Sequence, residues 1–231
     1  NLILENEKNL YKEKIIYLDN IWNSHSGLNI ERKYNKLPSQ NNKYFIFGSF
    51  NNYLKISDDT IFVWSEILKK IKNSKLILKS SLSYSEVHFK KLFEEEGVLN
   101  RVIFKNRSPN FEEHINLYKD VDLCLDTFPY TGVTTTCEAL WMNVPVISME
   151  GYNFNSRCGE SILINSNLKH LVAKNKNDYI SMAISFSKDL VKLEKMRRLI
   201  FNEVLKTNTF NTKKFAANFW KSILDTYTNH K

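Results

Sequence analysis

The sequence contains no apolar run of the roughly 20 residues that a bilayer-spanning helix requires, so no membrane partner is expected. It has only three cysteines, Cys124, Cys137 and Cys158, an odd number with no CxxC spacing. That pattern argues against a disulfide framework or a zinc site and fits a reducing cytoplasm. There is no internal repeat and no secretory signal at the start. Because it begins at Asn1, the chain is expected to be a piece whose natural N-terminus lies upstream.

What is present is a globular composition, 42% hydrophobic and 25% charged over 231 residues, enough for one large or two small domains. The net charge of +8 suits an anionic ligand. The lysines, however, are spread along the chain as on solvated helix faces, so nucleic acid is the less favoured partner.

Apolar periodicity alternates between two rhythms. Residues 1–42 are polar and irregular, and "NKLPSQNNK" (35–43) reads as a linker. Buried strands are expected at 44–50 ("YFIFGSF"), 75–80 ("KLILKS"), 101–105 ("RVIFK"), 121–128 ("VDLCLDTF"), 144–149 ("VPVISM") and 170–173 ("HLVA"). Between them lie helical patterns. One follows Ser57 and Asp58 with Ile61, Trp64, Leu68 and Ile71 at helical spacing. Another spans 84–96 and ends at Gly97. A third follows the Asn110/Glu113 capping pattern to about Tyr118, and further helices fall at 135–143, near 156–164 and from about 176. Strands alternating with helices predict an α/β fold, a Rossmann-like parallel sheet with helices on both faces.

In such a sheet a ligand sits beyond the carboxyl ends of the strands, where strand gives way to helix. The stretch "DTFPYTGVTTTCEALW" (126–141) is such a junction, and it carries three consecutive threonines although β-branched residues are mediocre helix formers. A helix N-terminus offers unpaired N–H groups and about half a positive charge, a ready site for a pyrophosphate. Hydroxyls of Thr134, Thr135 and Thr136 add donors, Gly132 permits close backbone approach, and Glu138, about one turn in, is placed to accept from the hydroxyls of a ribose. The alternative is structural: Thr134 as an N-cap and Glu138 as a first-turn carboxylate facing the dipole. A second junction, "FGSFNNYLKIS" (47–57), offers Lys55 to a phosphate and Asn52 to a base or phosphate, or merely a solvated loop. His114, Asp126 and Arg157 are candidates of the same ambiguous kind.

Taken in order and spacing, "FGSFNNYLKIS", "EEH", "LCLDTFPYTGVTTTCEALWMNVPVISMEG" and "SR" before a helix closely resemble the O-GlcNAc transferase family, including the SPINDLY-type enzymes and their bacterial relatives. The resemblance spans about residues 10–225 and implies the donor-binding half of a two-lobed GT-B glycosyltransferase, behind tetratricopeptide repeats and an N-terminal lobe that lie outside the chain. It divides the chain into a remnant of that lobe with a linker (1–42), a nucleotide-sugar-binding domain (43–207) and a C-terminal crossing helix (208–231). The apolar stripe Phe215, Phe219, Ile223 and Tyr227 lies on that helix.

Carried over by position, the resemblance implies that Lys55 contacts the donor diphosphate as the catalytic residue, with Asn52 beside it where the O-GlcNAc branch has glutamine. It implies His114 near base and ribose, Thr134 and Thr135 on the diphosphate, Glu138 on the ribose where that branch has aspartate, and Arg157 near the donor cleft. Two departures stand out: Val133 replaces a histidine and Leu117 an arginine, which leaves the donor open between UDP-GlcNAc, another UDP-hexose and GDP-fucose. The implied reaction is a metal-independent, inverting transfer, with no cofactor beyond the donor, to Ser or Thr of a protein acceptor. The acceptor's deprotonating group is expected on the missing lobe. A sugar-nucleotide epimerase lobe or a non-catalytic nucleotide-binding module is the alternative.

Overall fold

Strand and helix alternate in the computed structural model, which describes residues 2–79 and 83–228, as the apolar rhythm predicts. The order is β1 (Phe45–Ser49), α1 (Asp58–Lys70), β2 (Ser74–Lys79), α2 (Ser83–Glu95), β3 (Val102–Lys105), α3 (Phe111–Asn116), β4 (Leu123–Leu125), α4 (Thr134–Trp141), β5 (Val146–Met149), α5 (Phe154–Asn165), β6 (Val172–Ala173), α6 (Lys176–Lys188), α7 (Leu190–Glu203) and α8 (Thr212–Thr228). Asn1, the expected strand end at Ser80 and the last expected helical residues 229–231 lie outside the described residues.

The local signals operate largely as expected. Ser57 Oγ accepts from Thr60 N–H at the start of α1, and Asn110 Oδ1 from Glu113 N–H at the start of α3. Gly97 ends α2 with φ of +71°, a left-handed conformation that glycine adopts without a Cβ penalty. The fourth strand is shorter than the apolar run predicts. The Asp126 N–H still bonds Ile147 O, and the Asp126 carboxylate holds the turn that follows.

The six strands are all parallel, in the order β3-β2-β1-β4-β5-β6. Side chains alternate across the sheet with the period of two that a strand imposes. Phe45, Phe47, Leu76, Leu78, Leu123 and Leu125 enter one core with Trp64 and Ile67 of α1, Phe93 of α2 and Tyr179 of α6. Ile46, Ile77 and Cys124 enter a second core with Ile115 of α3 and Ala139 of α4. Both faces are therefore covered, and each fully buried Leu, Ile or Phe contributes roughly 1.5–3 kcal/mol.

The polar N-terminal segment is not a separate body. Arg32 caps two helix C-termini at once: it donates to Leu140 O and Trp141 O of α4 (3.5 and 2.7 Å) and to Ile200 O (3.1 Å) and Phe201 O of α7. A cation there also meets the negative ends of both helix dipoles. Asn35 exchanges hydrogen bonds with Asn143 just beyond α4, and Ser24 and His25 both donate to Thr209 O. The sheet begins at Phe45, but packing does not change there. Helix α8, by contrast, buries none of its residues. Phe219 (43% exposed) and Ile223 (40%) face a groove of about 290 Å³ that they share with Leu2, Ile16, Tyr17 and Trp22.

Arg197 of α7 is wholly buried and donates to Val121 O, Asp122 O and Asn35 O. Asp122 in turn accepts from Ser39 N and Ile46 N, so this pair ties helix, linker and two strands together. Leaving a buried carbonyl without its donor costs about 1–3 kcal/mol, and Arg197 serves three of them. Arg197→Met is therefore expected to lower Tm by on the order of 10 °C in calorimetry. A shift of only a degree or two would show that the network carries little stability.

Candidate functional site

The strand order reverses between β1 and β4, and open α/β sheets bind ligands in the crevice beyond the carboxyl ends at such a point. Both sequence junctions open there: residues 50–57 leave β1 and residues 126–134 leave β4.

Asp126 organises the crevice. It is 1% exposed. Oδ1 accepts from the backbone N–H of Gly132 (2.7 Å) and of Thr127 (2.9 Å) and from Asn51 Nδ2 (3.1 Å), while Oδ2 accepts from Ser148 Oγ (2.7 Å). Burial raises its pKa, and the hydrogen bonds and Lys55 act in the opposite direction. Its carbonyl takes the Tyr179 hydroxyl (2.8 Å), which links the loop to α6. Gly132 is required by space: a Cβ there would come within 2.7 Å of the hydroxyls of Thr135 and Thr136 and 3.0 Å of Asp126 Oδ1.

The three threonines differ in role. Val133, not Thr134, holds the N-cap position of α4, and no side chain caps the helix. The first N–H groups therefore face the crevice without a side-chain acceptor. Thr134 is exposed; Thr135 donates its hydroxyl to Asn51 Oδ1 (2.7 Å); Thr136 is buried. Thr134 thus keeps an open hydroxyl, whereas Thr135 and Thr136 shape the turn.

Lys55 is half-buried. Its ammonium donates to Thr131 O (2.9 Å) and lies 4.2 Å from the centroid of the exposed Tyr130 ring. Burial pushes its pKa below the usual lysine value, against the attraction of Asp126. Asn52 is exposed and caps its own short turn through Leu54 N–H (3.0 Å). Its neighbour Asn51 is the residue that reaches Asp126 and Thr135.

Glu138, 5% exposed, lies one turn into α4. Its Oε2 is 3.1 Å from His114 Nε2 and 3.1 Å from the Tyr118 hydroxyl, and no described residue donates to Oε1. His114 Nδ1 in turn meets the ammonium of Lys79 at the end of β2. Beyond lies an open pocket of about 740 Å³ lined by Lys79, Arg107, Phe111 and His114 among others.

Arg157 does not join this group. Its guanidinium holds Glu7 by two parallel hydrogen bonds (2.7 and 2.8 Å) and also donates to Leu2 O and Gly151 O. Arg157 lowers the Glu7 pKa to about 2. The residue that the resemblance places near the donor cleft is committed to anchoring the N-terminal segment. The crevice thus gathers Lys55, Gly132, Thr134, Thr135, Glu138 and His114, leaves Asn52 at its rim, and adds Asn51, Asp126, Tyr118 and Lys79.

Comparison with known proteins gives this arrangement a family. The chain matches Glycosyl transferase family 41 over residues 24–219. It belongs to that family. It is 32% identical over 201 residues to an Arabidopsis thaliana protein described as "Probable UDP-N-acetylglucosamine--peptide N-acetylglucosaminyltransferase SPINDLY", matching 80% of this chain and 21% of that protein. A mutant of the Thermobaculum terrenum O-GlcNAc transferase superposes with a TM-score of 0.83 at 25% identity, covering 98% of this chain and 42% of that one. A structure of TarM from S. aureus in complex with UDP shares the fold at a TM-score of 0.62 and 14% identity, over 96% of this chain and 43% of that one. The fold is the donor-binding half of a GT-B glycosyltransferase, and the chain spans about a fifth of the curated family 41 relative. Among the described residues no helix is long and apolar enough to cross a membrane.

Asn51→Ala removes a donor from buried Asp126 and the acceptor of Thr135. An unmatched buried polar group costs about 1–3 kcal/mol. The variant is expected to lose that much stability in urea unfolding, and an unchanged midpoint would remove Asn51 from the bracing of the loop.

Proposed function

We propose that this chain is the donor-binding lobe of an inverting glycosyltransferase that passes a sugar from a nucleoside diphosphate to a Ser or Thr hydroxyl of a protein. The observation that carries the reading is the convergence of the Lys55 ammonium and the uncapped N-terminus of α4 on one crevice, with Glu138 a turn further in.

When the sugar leaves, negative charge builds on the β-phosphate of the diphosphate. An ammonium has three donors. Lys55 gives one to Thr131 O, and the others face the leaving group. The N–H groups of α4 and the positive end of its dipole meet the same charge. These donors are fixed before reaction, the electrostatic arrangement that dominates much of catalysis. Because the chain itself supplies this neutralisation, the transfer is proposed to need no metal and no cofactor beyond the donor. Glu138 Oε1 accepts from a ribose hydroxyl while His114 and Tyr118 hold Oε2.

The printed names of the relatives support a UDP-sugar donor and a peptide acceptor; the valine at 133 and the leucine at 117 keep a GDP-sugar such as GDP-fucose in play. The acceptor and the group that deprotonates it belong to a second lobe, with tetratricopeptide repeats ahead of it, in a cytoplasmic protein.

Full-length protein incubated with labelled UDP-GlcNAc or GDP-fucose should label a Ser/Thr peptide. Conversion of the free sugar nucleotide without peptide would indicate an epimerase instead. Lys55→Ala is expected to lower kcat by about 10²–10³ while changing KM for the donor much less, because a leaving-group contact strengthens in the transition state. A raised KM at unchanged kcat would make Lys55 a binding residue only.

A further inference from the structure

Lys79 ends the buried strand β2 at 7% exposure, and among the described residues it makes neither of the contacts expected of a buried lysine, a carboxylate or a backbone carbonyl. Its described partner is an imidazole: Nζ lies 2.5 Å from His114 Nδ1. Strand alternation puts it there, because Ile77, two residues earlier, enters the core that holds Ile115 of the same helix.

The hydrogen-bond inventory fixes the protons along this chain of groups. A carboxylate only accepts, so Glu138 Oε2 requires a donor from His114 Nε2 as well as from the Tyr118 hydroxyl. An ammonium only donates, so Lys79 requires a proton-free His114 Nδ1. Both demands are met by one arrangement, a neutral imidazole bearing its proton on Nε2. The other groups around the ring are aromatic: Phe50, Phe111 and Tyr118, at 6.0–6.2 Å between ring centroids. Burial lowers the Lys79 pKa, the Glu138 carboxylate acts in the opposite direction, and Arg107 adds a second positive charge within electrostatic range.

We infer that Lys79 is a positioning residue of the ribose subsite: by occupying Nδ1 it holds His114 in the tautomer that donates from Nε2, so that Glu138 is oriented by one oxygen and presents the other to the ribose. Without Lys79, Nδ1 loses the donor that keeps it proton-free, and the ring is free to carry its proton on Nδ1 instead. Glu138 Oε2 then loses its donor from Nε2, and the carboxylate is no longer held by one oxygen for the ligand. The inference rests on the assignment of Glu138 to the ribose, and it is the same kind of outer-layer control by which hydrogen-bond partners orient ligating side chains in other sites.

The test uses Lys79→Met and Lys79→Arg in the 231-residue chain, with two readouts. Two-bond ¹H–¹⁵N correlations of the His114 ring, without ligand, report which nitrogens carry protons. Wild type and Lys79→Arg should show a proton on Nε2 only, and Lys79→Met should show it on Nδ1. Calorimetric titration with UDP and with its 2′,3′-dideoxy counterpart reports ribose discrimination. Lys79→Met should bind UDP about tenfold more weakly and bind the dideoxy analogue almost unchanged, with Lys79→Arg restoring the difference. The inference is overturned if Lys79→Met leaves both the ring protons and the preference for ribose as they are in wild type. If wild type binds no nucleoside diphosphate, the assignment of the site fails, while the ring correlations still judge whether Lys79 controls His114.

Discussion

A buried carboxylate is tolerable only when donors surround it, and Asp126 turns that requirement into architecture. Its four hydrogen bonds reach forward to Thr127 and Gly132, across to Asn51 beyond β1, and sideways to Ser148 of β5. Satisfying one charge therefore fixes three segments relative to one another. The β4–α4 loop, the β1–α1 loop and the neighbouring strand take positions that place the start of α4 and the Lys55 ammonium around one crevice. The residue does this at the carboxyl end of the sheet, where the topology already opens a gap.

Helix α4 is held from its other end as well. Its N-terminus carries no side-chain cap, which leaves donors available to a ligand but deprives the helix of the roughly 1 kcal/mol that a cap supplies. Its C-terminal carbonyls, by contrast, are held by Arg32, and Asn143 beyond them by Asn35. The polar segment before the sheet thus secures α4 through the end remote from the crevice. Glu7 and Arg157 do the same further back, joining the start of the described chain to α5.

The alternation of strands and helices was legible because parallel strands are buried on both faces and read as compact apolar runs, while helix starts carry Ser57, Asn110 and similar caps. Which residues gather at the crevice was legible where a strand-to-helix junction carries them: Gly132, Thr134, Lys55 and Glu138. It was less legible where two adjacent residues compete. Asn51 and Asn52 look alike in sequence, and the turn after β1 settles the matter: Asn51 is buried and reaches Asp126 and Thr135, whereas Asn52 is exposed and caps its own short turn. Lys79 and Tyr118 escaped notice because a lysine ending a strand and a tyrosine ending a helix resemble surface residues until the fold brings them to His114 and Glu138. Arg157 illustrates the converse: its position in the motif is clear, but its partner, Glu7, lies 150 residues away and no local pattern announces the pairing.

The central claim is that the crevice between β1 and β4 holds a diphosphate. Calorimetric titration of the chain with UDP and GDP, alongside uridine and guanosine, tests it directly. The account predicts that at least one diphosphate binds and that its parent nucleoside, lacking the charge that Lys55 and the start of α4 are arranged to meet, binds far more weakly. No heat from either diphosphate at millimolar concentration with the chain folded, or equal binding of nucleoside and diphosphate, would contradict it.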